Sequence, residues 1–292
     1  MLSSTFENLL MFYARHFPIR RGKLRVIDSL WQPVFAGEYT HRIATLKYGG
    51  FKISCDLNEM LQRQFYFFGT YFLEEEILDC WQSMAHNAHV IFDVGANAGI
   101  YSLAALAVQP AAIVHAFEPT PEIADGLCAT AKANGLDHLY VHQTAVSSRD
   151  GTAKLRRCRG ELGTNEGMNF ISQHATDANG EEVPTVCLDQ FCLDRSIACI
   201  DLLKLDVQGH EYSVLQGAAR LIGSGRIGVV FMELNWSCSG SSSPASESIN
   251  LLDRAGYLFS RPGKHLKWEK AGDWLCAVSD IVARRVNPYR VF

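Results

Sequence analysis

The 292-residue chain is 48% hydrophobic and 20% charged, with 23 glycines and 9 prolines, a profile that excludes wholesale disorder and fibrous repeats and marks an ordinary globular protein. Its formal charge of −4 creates no global field for polyanions, which disfavours a general nucleic-acid binder. Nine cysteines form no C-x-x-C pair and are odd in number, so they read as reduced core thiols of a cytoplasmic protein, without a disulfide framework or zinc cluster.

No stretch reaches the roughly 18 to 20 apolar residues of a membrane span, and the first residues lack the basic-then-apolar order of a secretory signal. Phe6, Leu9, Leu10 and Tyr13 share one helical face ahead of Arg20, Arg21, Lys23 and Arg25. That pattern reads as a helix packed on its own domain, the alternative being a membrane-surface or partner-docking helix. Residues 42–57 alternate around Gly49-Gly50 and predict a hairpin, and "FLEEEILDCWQSM" predicts a helix. These pieces form an expected N-terminal extension over 1–88, packed on a domain over 89–292.

From Val90 onward strand-like and helix-like runs alternate, which predicts a parallel sheet with helices on both faces. The strand candidates are "HVIFD", "AIVHAFE", "LYVHQTAV", "CIDLLKLD" and "GVVFME", ending at Asp93, Glu118, Val146, Asp206 and Glu233. Four of these ends are carboxylates, and in a doubly wound sheet strand ends converge on one crevice. A helix is expected from Thr120 as N-cap through Pro121 to a stop at Gly135. Another places Val214, Leu215, Ala218, Leu221 and Ile222 on one stripe. Asp150-Gly151 is a hairpin-turn signal that opens a small antiparallel excursion between the third and fourth core strands. Within it, residues 157–183 read as a lid or an ordinary long loop, and the serine-rich stretch 237–248 reads as a surface loop.

The first strand runs into Gly95-Ala96-Asn97-Ala98-Gly99. This turn lacks the middle glycine of the dinucleotide fingerprint, and no Lys-Ser or Lys-Thr follows it as a triphosphate loop requires. Asp93 would repel a phosphate at the helix N-terminus and attract a cation instead. S-adenosylmethionine carries a sulfonium, an ammonium and a ribose diol but no phosphate. Asp93 is therefore expected to orient the turn and the aminoacyl end of that cofactor, and Glu118 to accept from its ribose hydroxyls. The plainer alternative makes Asp93 a helix cap and Glu118 a solvated strand end.

Taken together, "FDVGANAGIYS", "AFEPTPE", "AVSSRDG" and "LLKLDVQGHEYSVLQGA" resemble the FkbM family of S-adenosylmethionine-dependent methyltransferases, from about Glu74 to about Ala277. The resemblance implies a Rossmann-like class I methyltransferase fold, α/β with a mostly parallel seven-stranded sheet. It also implies methylation of a hydroxyl on a small molecule, glycan or secondary metabolite. By position, Asp93, Gly95, Ala96, Asn97 and Gly99 would line the methionine side, Glu118 and Pro119 would meet the ribose, and Ala145 would lie along the adenine edge. The class often has an acid near Ala145; here Gln143 and Thr144 stand in its place.

For the chemistry, Asp206 at the end of the fourth strand is expected to orient cofactor and acceptor. His210 is the expected base, since an imidazole titrates near neutrality, against an exposed helical histidine as the plainer reading. Glu211 reads as a structural acid bonding amides at its helix start. Asp206, Glu233 and Asn235 offer oxygen ligands for Mg²⁺, but the cofactor's positive charge already accounts for the two carboxylates, so no metal is expected. "NPYR" at Asn287 sits in the tail, away from the fourth strand where an amino-group methyltransferase would carry such a motif. The rivals are a nicotinamide-dependent oxidoreductase, opposed by Asp93 and the missing glycine, and a non-catalytic cofactor-binding scaffold. An RNA or protein substrate is a further alternative, the acidic charge making RNA the weaker.

Overall fold

A computed structural model describes residues 2–17, 22–35, 41–160, 163–164, 169–172, 179–234, 243–272, 274–275 and 279–285. Calls on Arg20, Arg21, Asn235, Cys238, Cys276 and the "NPYR" tail lie outside the described residues, as do parts of the 157–183 and 237–248 stretches. The chain opens with α1 (Leu2–His16), α2 (Lys23–Phe35), the hairpin β1 (His41–Thr45) and β2 (Lys52–Asp56), α3 (Met60–Phe68) and α4 (Glu75–Ala85). Leu10, Ile27, Trp31 and Phe65 from these elements are buried in one core with Leu103 and Val114. Leu9 is instead 61% exposed, so the buried stripe of α1 runs through Leu10 and Ala14, about a quarter-turn from the expected face. The hairpin is anchored through Asn134, whose side chain accepts from Lys52 N at 2.8 Å and donates to Lys52 O at 2.7 Å.

The alternating region follows as β3 (Val90–Val94), α5 (Ile100–Val108), β4 (Ile113–Phe117), α6 (Pro121–Ala133) and β5 (Leu139–His142). An excursion then carries β6 (Ala145–Val146), β7 (Gly151–Arg156), β8 (Arg159–Gly160), β9 (Gly163–Thr164), β10 (Phe170–Ile171) and β11 (Glu181–Val186). The chain returns through α7 (Leu188–Asp194), β12 (Ile200–Leu205), α8 (Glu211–Gln216), α9 (Ala219–Gly223) and β13 (Ile227–Glu233), and the last described elements are α10 (Pro244–Arg254), β14 (Tyr257–Ser260) and β15 (Asp280–Arg285). The main sheet has seven strands in the order β14-β15-β13-β12-β3-β4-β5. Its pairs are parallel except those of β15, which is antiparallel to β13 and β14. This is the mostly parallel seven-stranded sheet expected from the sequence. Its order reverses between β3 and β12, where strand ends leave a crevice.

Alternation along the strands splits the core. Ile91, Val114 and Leu202 face one layer with α4 and α5, while Phe92, Phe117 and Leu203 face the other with α7 to α10. Each layer buries aromatic and branched side chains, each worth roughly 1.5–3 kcal/mol of transfer free energy.

Three local expectations change. "LYVHQTAV" is not one strand: the chain leaves the main sheet after His142, and Ala145 and Val146 pair in parallel with Thr185 and Val186 of β11 in a second, four-stranded sheet. Ala145 and Val146 are buried in that second sheet, whereas β5 is the edge of the main sheet, with Leu139 buried and Tyr140 exposed. The helix expected over 210–222 breaks at Gly217, where a Cβ would stand 2.1 Å from Ser147 O, and Asp189 caps the new start by accepting from Arg220 N and Leu221 N at 2.9 Å each. The stripe survives, with Val214, Leu215, Ala218, Leu221 and Ile222 all buried. Finally, α10 begins inside the serine-rich stretch, with Ser243 accepting from Ser246 N at 3.2 Å.

His115 and His142, on neighbouring strands, are joined at 2.9 Å through ring nitrogens and stack at 5.2 Å. Burial, with Arg195 nearby, brings both down to about 4. A histidine held neutral in the fold contributes stability above its unfolded pKa of about 6.5, which is lost as pH falls toward 4. Unfolding free energy should therefore drop between pH 6.5 and 4, by up to about 1.4 kcal/mol per pH unit for each ring. His142→Gln should flatten that slope in urea titrations; an unchanged slope would refute the assignment.

Candidate active site

The turn after β3 is built from backbone constraints. Gly95 has φ of +79°, and a Cβ there would lie 1.9 Å from the carbonyl oxygen of Asp206, so glycine permits the first and fourth core strand ends to touch. Gly99 has φ of +83°, and its Cβ would meet Leu127 at 2.3 Å. Gly95 N and Ala96 N both donate to Phe117 O at 3.0 Å. Asn97 N donates to Glu118 Oε2 at 3.0 Å, and Gly99 N to Ala96 O at 2.8 Å. These turn amides are thus satisfied internally, leaving no nest of free N–H groups for a phosphate.

A cavity opens over this turn. Gly95, Asn97, Glu118 and Pro119 line one side, and Ala145, Asp206 and His210 line it further along. Asp93, Ala96 and Gly99 do not. The side chain of Asp93 turns inward, 1% exposed, and its Oδ2 accepts from Ser102 N at 3.0 Å and Ser102 Oγ at 2.6 Å. Asp93 shares a strand face with Ile91, the face covered by α5, so it ties the turn to that helix and is not on the cavity lining. Burial pushes its carboxyl up against the opposing pull of Lys204 and the Ser102 bonds. Ala96 is occupied in the turn's own bonds, and Gly99 faces Leu127.

Glu118, buried at the tip of β4, bridges two loops by accepting from Asn97 N and from Thr120 N at 2.8 Å. Thr120 occupies the expected N-cap position of α6, but its side chain makes no cap bond. Gln143 is exposed and off the cavity, whereas Thr144 lines it and donates to Pro184 O at 2.9 Å. The opposite wall comes from the excursion: Leu155, and Asn169, Phe170 and Ile171 from the 157–183 stretch that reads in sequence as a lid or a long loop. Gln208, which the sequence reading did not single out, lines it too. Both Gln208 (φ of +51°) and Asn97 (φ of +49°) are non-glycine residues in the left-handed region on the cavity wall, a conformation costing about 1 kcal/mol or more each.

Beside the cavity lies a polar cluster. Lys204 Nζ donates to Asp206 Oδ2 at 3.0 Å and sits 4.1 Å from the Tyr101 ring centroid. Gln208 Nε2 donates to Asp206 Oδ1 at 3.0 Å and to Glu233 Oε2 at 3.1 Å. The hydroxyl of Tyr101 donates to Glu74, and Tyr71 also bonds Glu74. For Asp206 burial pushes upward, but Lys204 and the bonds from Glu233 and Gln208 outweigh it and hold the carboxyl below its ordinary range. Glu233 moves the other way, pushed up to about 8 by burial and by Asp206. Burial raises Glu74 as well. The four strand-end acids are therefore not four negative charges: Asp206 is ionised and paired with a cation, and Glu233 keeps its proton near neutrality.

His210 Nε2 lies 2.9 Å from Ser147 Oγ, and burial lowers its pKa, so the ring is neutral at pH 7. Glu211 accepts from Val207 N at 3.2 Å and Gly209 N at 3.1 Å, the structural role expected of it. Among the described residues no group of three or more His, Cys, Asp or Glu side chains could hold a metal ion.

The family model for the methyltransferase FkbM domain matches residues 93–259. The chain belongs to the FkbM methyltransferase family. Relatives include the 31-O-demethyl-FK506 methyltransferase FkbM of Streptomyces tacrolimicus, 34% identical over 157 residues, 44% of this chain and 58% of that protein. Another is the 2-O-methyltransferase NoeI of Sinorhizobium fredii (strain NBRC 101917 / NGR234), 30% identical over 141 residues, 44% of this chain and 56% of that protein. The chain thus spans under two thirds of the length of these FkbM-family relatives. Among solved structures, human methyltransferase 10 domain containing protein superposes with a TM-score of 0.42 at 12% identity, covering 90% of this chain and 96% of that one. The FkbM match starts at Asp93, so Tyr71 and Glu74 of the polar cluster precede it.

Proposed function

We propose that the chain is an S-adenosylmethionine-dependent methyltransferase that methylates a hydroxyl of a small-molecule or glycan acceptor. One observation carries this reading: the glycine-turn amides are bonded within the protein while a carboxylate, Glu118, borders the same cavity. A dinucleotide's pyrophosphate needs those amides free, whereas S-adenosylmethionine carries no phosphate; its ribose diol is a pair of donors that an acceptor-only carboxylate recognises. The apolar wall of Val146, Leu155 and Ile171 suits an adenine ring, and ionised Asp206 suits a cation. When bound, S-adenosylmethionine supplies an electrophilic methyl group on sulfur.

In this reading Gly95 and Asn97 border the methionine side, Pro119 lies beside the ribose with Glu118, and Ala145 borders the adenine. Asp93, Ala96 and Gly99 act by holding the turn. Asp206 orients cofactor and acceptor, and neutral His210 is available to take the acceptor's proton, a contribution of about 10² to 10⁴-fold for a positioned base. Residues 1–88 form an extension on the methyltransferase domain over 89–292 and supply Tyr71 and Glu74 to the polar cluster beside the cavity. The free thiols among the described residues fit a reducing cytoplasm, and no helix of the described residues is long and apolar enough to cross a membrane.

Calorimetry tests the reading. Wild-type protein should bind S-adenosylmethionine and S-adenosylhomocysteine but not NADH. Glu118→Gln should weaken both adenosyl ligands about tenfold, the loss of roughly 1.4 kcal/mol from charged hydrogen bonds. NADH binding in the cavity, or full affinity in Glu118→Gln, would contradict it.

A further inference from the structure

We propose that Glu233, acting through Asp206, sets the site's preference for the positively charged methyl donor over its neutral demethylated product. This rests on the cofactor reading above and deepens it. Asp206 and Glu233 follow the paired residues Leu205 and Met232 at the ends of adjacent parallel strands. A single amide nitrogen, Gln208 Nε2, reaches both carboxyls, at 3.0 and 3.1 Å, and the two side chains bond each other. Two carboxyls joined in this way hold one proton between them. Asp206 borders the cavity, its side chain 30% exposed; Glu233 is not on the lining.

The neighbours decide where that proton rests. Lys204 of β12 bonds Asp206 directly, which keeps Asp206 ionised and leaves the proton on Glu233. The other groups facing the pair are Tyr71 and Glu74 from ahead of α4, Asp93 of β3, Tyr101 of α5, Glu211 of α8 and Asp280 of β15, all acids or phenols. A second cation docked against Asp206 changes this balance and drives the Glu233 proton into solvent. A thioether carries no charge and leaves the proton in place. Donor binding is therefore linked to proton release, and product binding is not. Glu233 is a positioning residue: it sets the charge that Asp206 presents.

The test is calorimetry from pH 6 to 9, in paired buffers of different ionisation enthalpy, with S-adenosylmethionine and S-adenosylhomocysteine as probes. The wild-type affinity ratio of donor to product should rise between pH 6 and 8, by at most about tenfold per unit for one proton, with proton release seen for the donor alone. Glu233→Gln should flatten the ratio and abolish the extra release. The ligands' own α-amino groups titrate near 8, and that contribution cancels between wild type and variant. Asp280→Asn, which removes one negative neighbour, should retain the release and move it to lower pH. Equal release in Glu233→Gln, or a wild-type ratio independent of pH, overturns the proposal while leaving the cofactor reading intact. Failure of the wild type to bind either probe overturns both.

Discussion

Gly95→Ala is expected to eliminate measurable binding of S-adenosylmethionine and to destabilise the fold by about 3 kcal/mol or more, from a left-handed alanine and an overpacked contact together. The reason is steric. A Cβ at this position would lie 1.9 Å from the carbonyl oxygen of Asp206 and 2.9 Å from its carbonyl carbon, and neither backbone atom yields as a side chain would. To relieve the overlap, the ends of β3 and β12 must separate. That shift moves Gly95 N and Ala96 N off Phe117 O, moves Asn97 N off Glu118, and displaces Asp206 on the facing wall. The same substitution at Gly135, which also has φ above zero but has nothing within 4 Å of an added Cβ, should cost only the conformational part, about 1–2 kcal/mol, and leave binding intact. Urea unfolding with calorimetry on both variants checks this. Retained binding in Gly95→Ala would show that contact between these strand ends does not shape the site.

Lys204→Met is expected to produce the second large effect, about 3–5 kcal/mol, the usual penalty for stripping a buried carboxylate of its cation. Burial favours the neutral amine, but Asp206, Glu74 and Asp93 outweigh it and raise the pKa of Lys204, so the ammonium is held firmly. Its side chain is 5% exposed, leaving little water to screen the acids once it is gone. The sign with pH follows. Without Lys204 the carboxyls bind protons more tightly in the fold than in the unfolded chain, so the variant's deficit is greatest at high pH and shrinks as the pH falls and the acids are neutralised. Unfolding titrations at pH 8 and pH 5.5 should show a clearly smaller difference from wild type at the lower pH. A deficit equal at both would mean that Lys204 acts through packing alone.

Much of the frame was legible in local pattern. Alternating runs predict the parallel strands, and the rule that ligands gather at strand ends correctly puts Glu118 and Asp206 on one cavity. Direction was harder. Asp93 and Ile91 are two apart on one strand and so share a face, yet whether that face meets a helix or a ligand depends on Ser102 of α5, a packing fact. Charge was harder still. Reading four strand-end acids as four negative charges ignored Lys204, which shares a strand face with Asp206 two residues on; only the three-dimensional arrangement shows Gln208 joining Asp206 to Glu233. Asn169, Phe170 and Ile171 carry no periodicity that marks them as cavity wall, because their place is fixed by the pairing of β10 with β7, across the intervening loop. The break at Gly217 likewise arises from a carbonyl at Ser147, seventy residues earlier.

The two walls of the cavity belong to different sheets. The glycine turn and Glu118 hang from the seven-stranded sheet, whereas Leu155, Phe170 and Ile171 belong to the four-stranded one, and Thr144 and Ala145 carry the chain across between them. Among the described residues no ladder spans the gap, so its width is governed by side-chain packing and by a few cross-links such as the bond from Thr144 to Pro184. A substitution that loosens the small sheet would widen the mouth while every strand pairing of the large sheet stayed whole, so affinity and thermal stability are separable properties in this molecule.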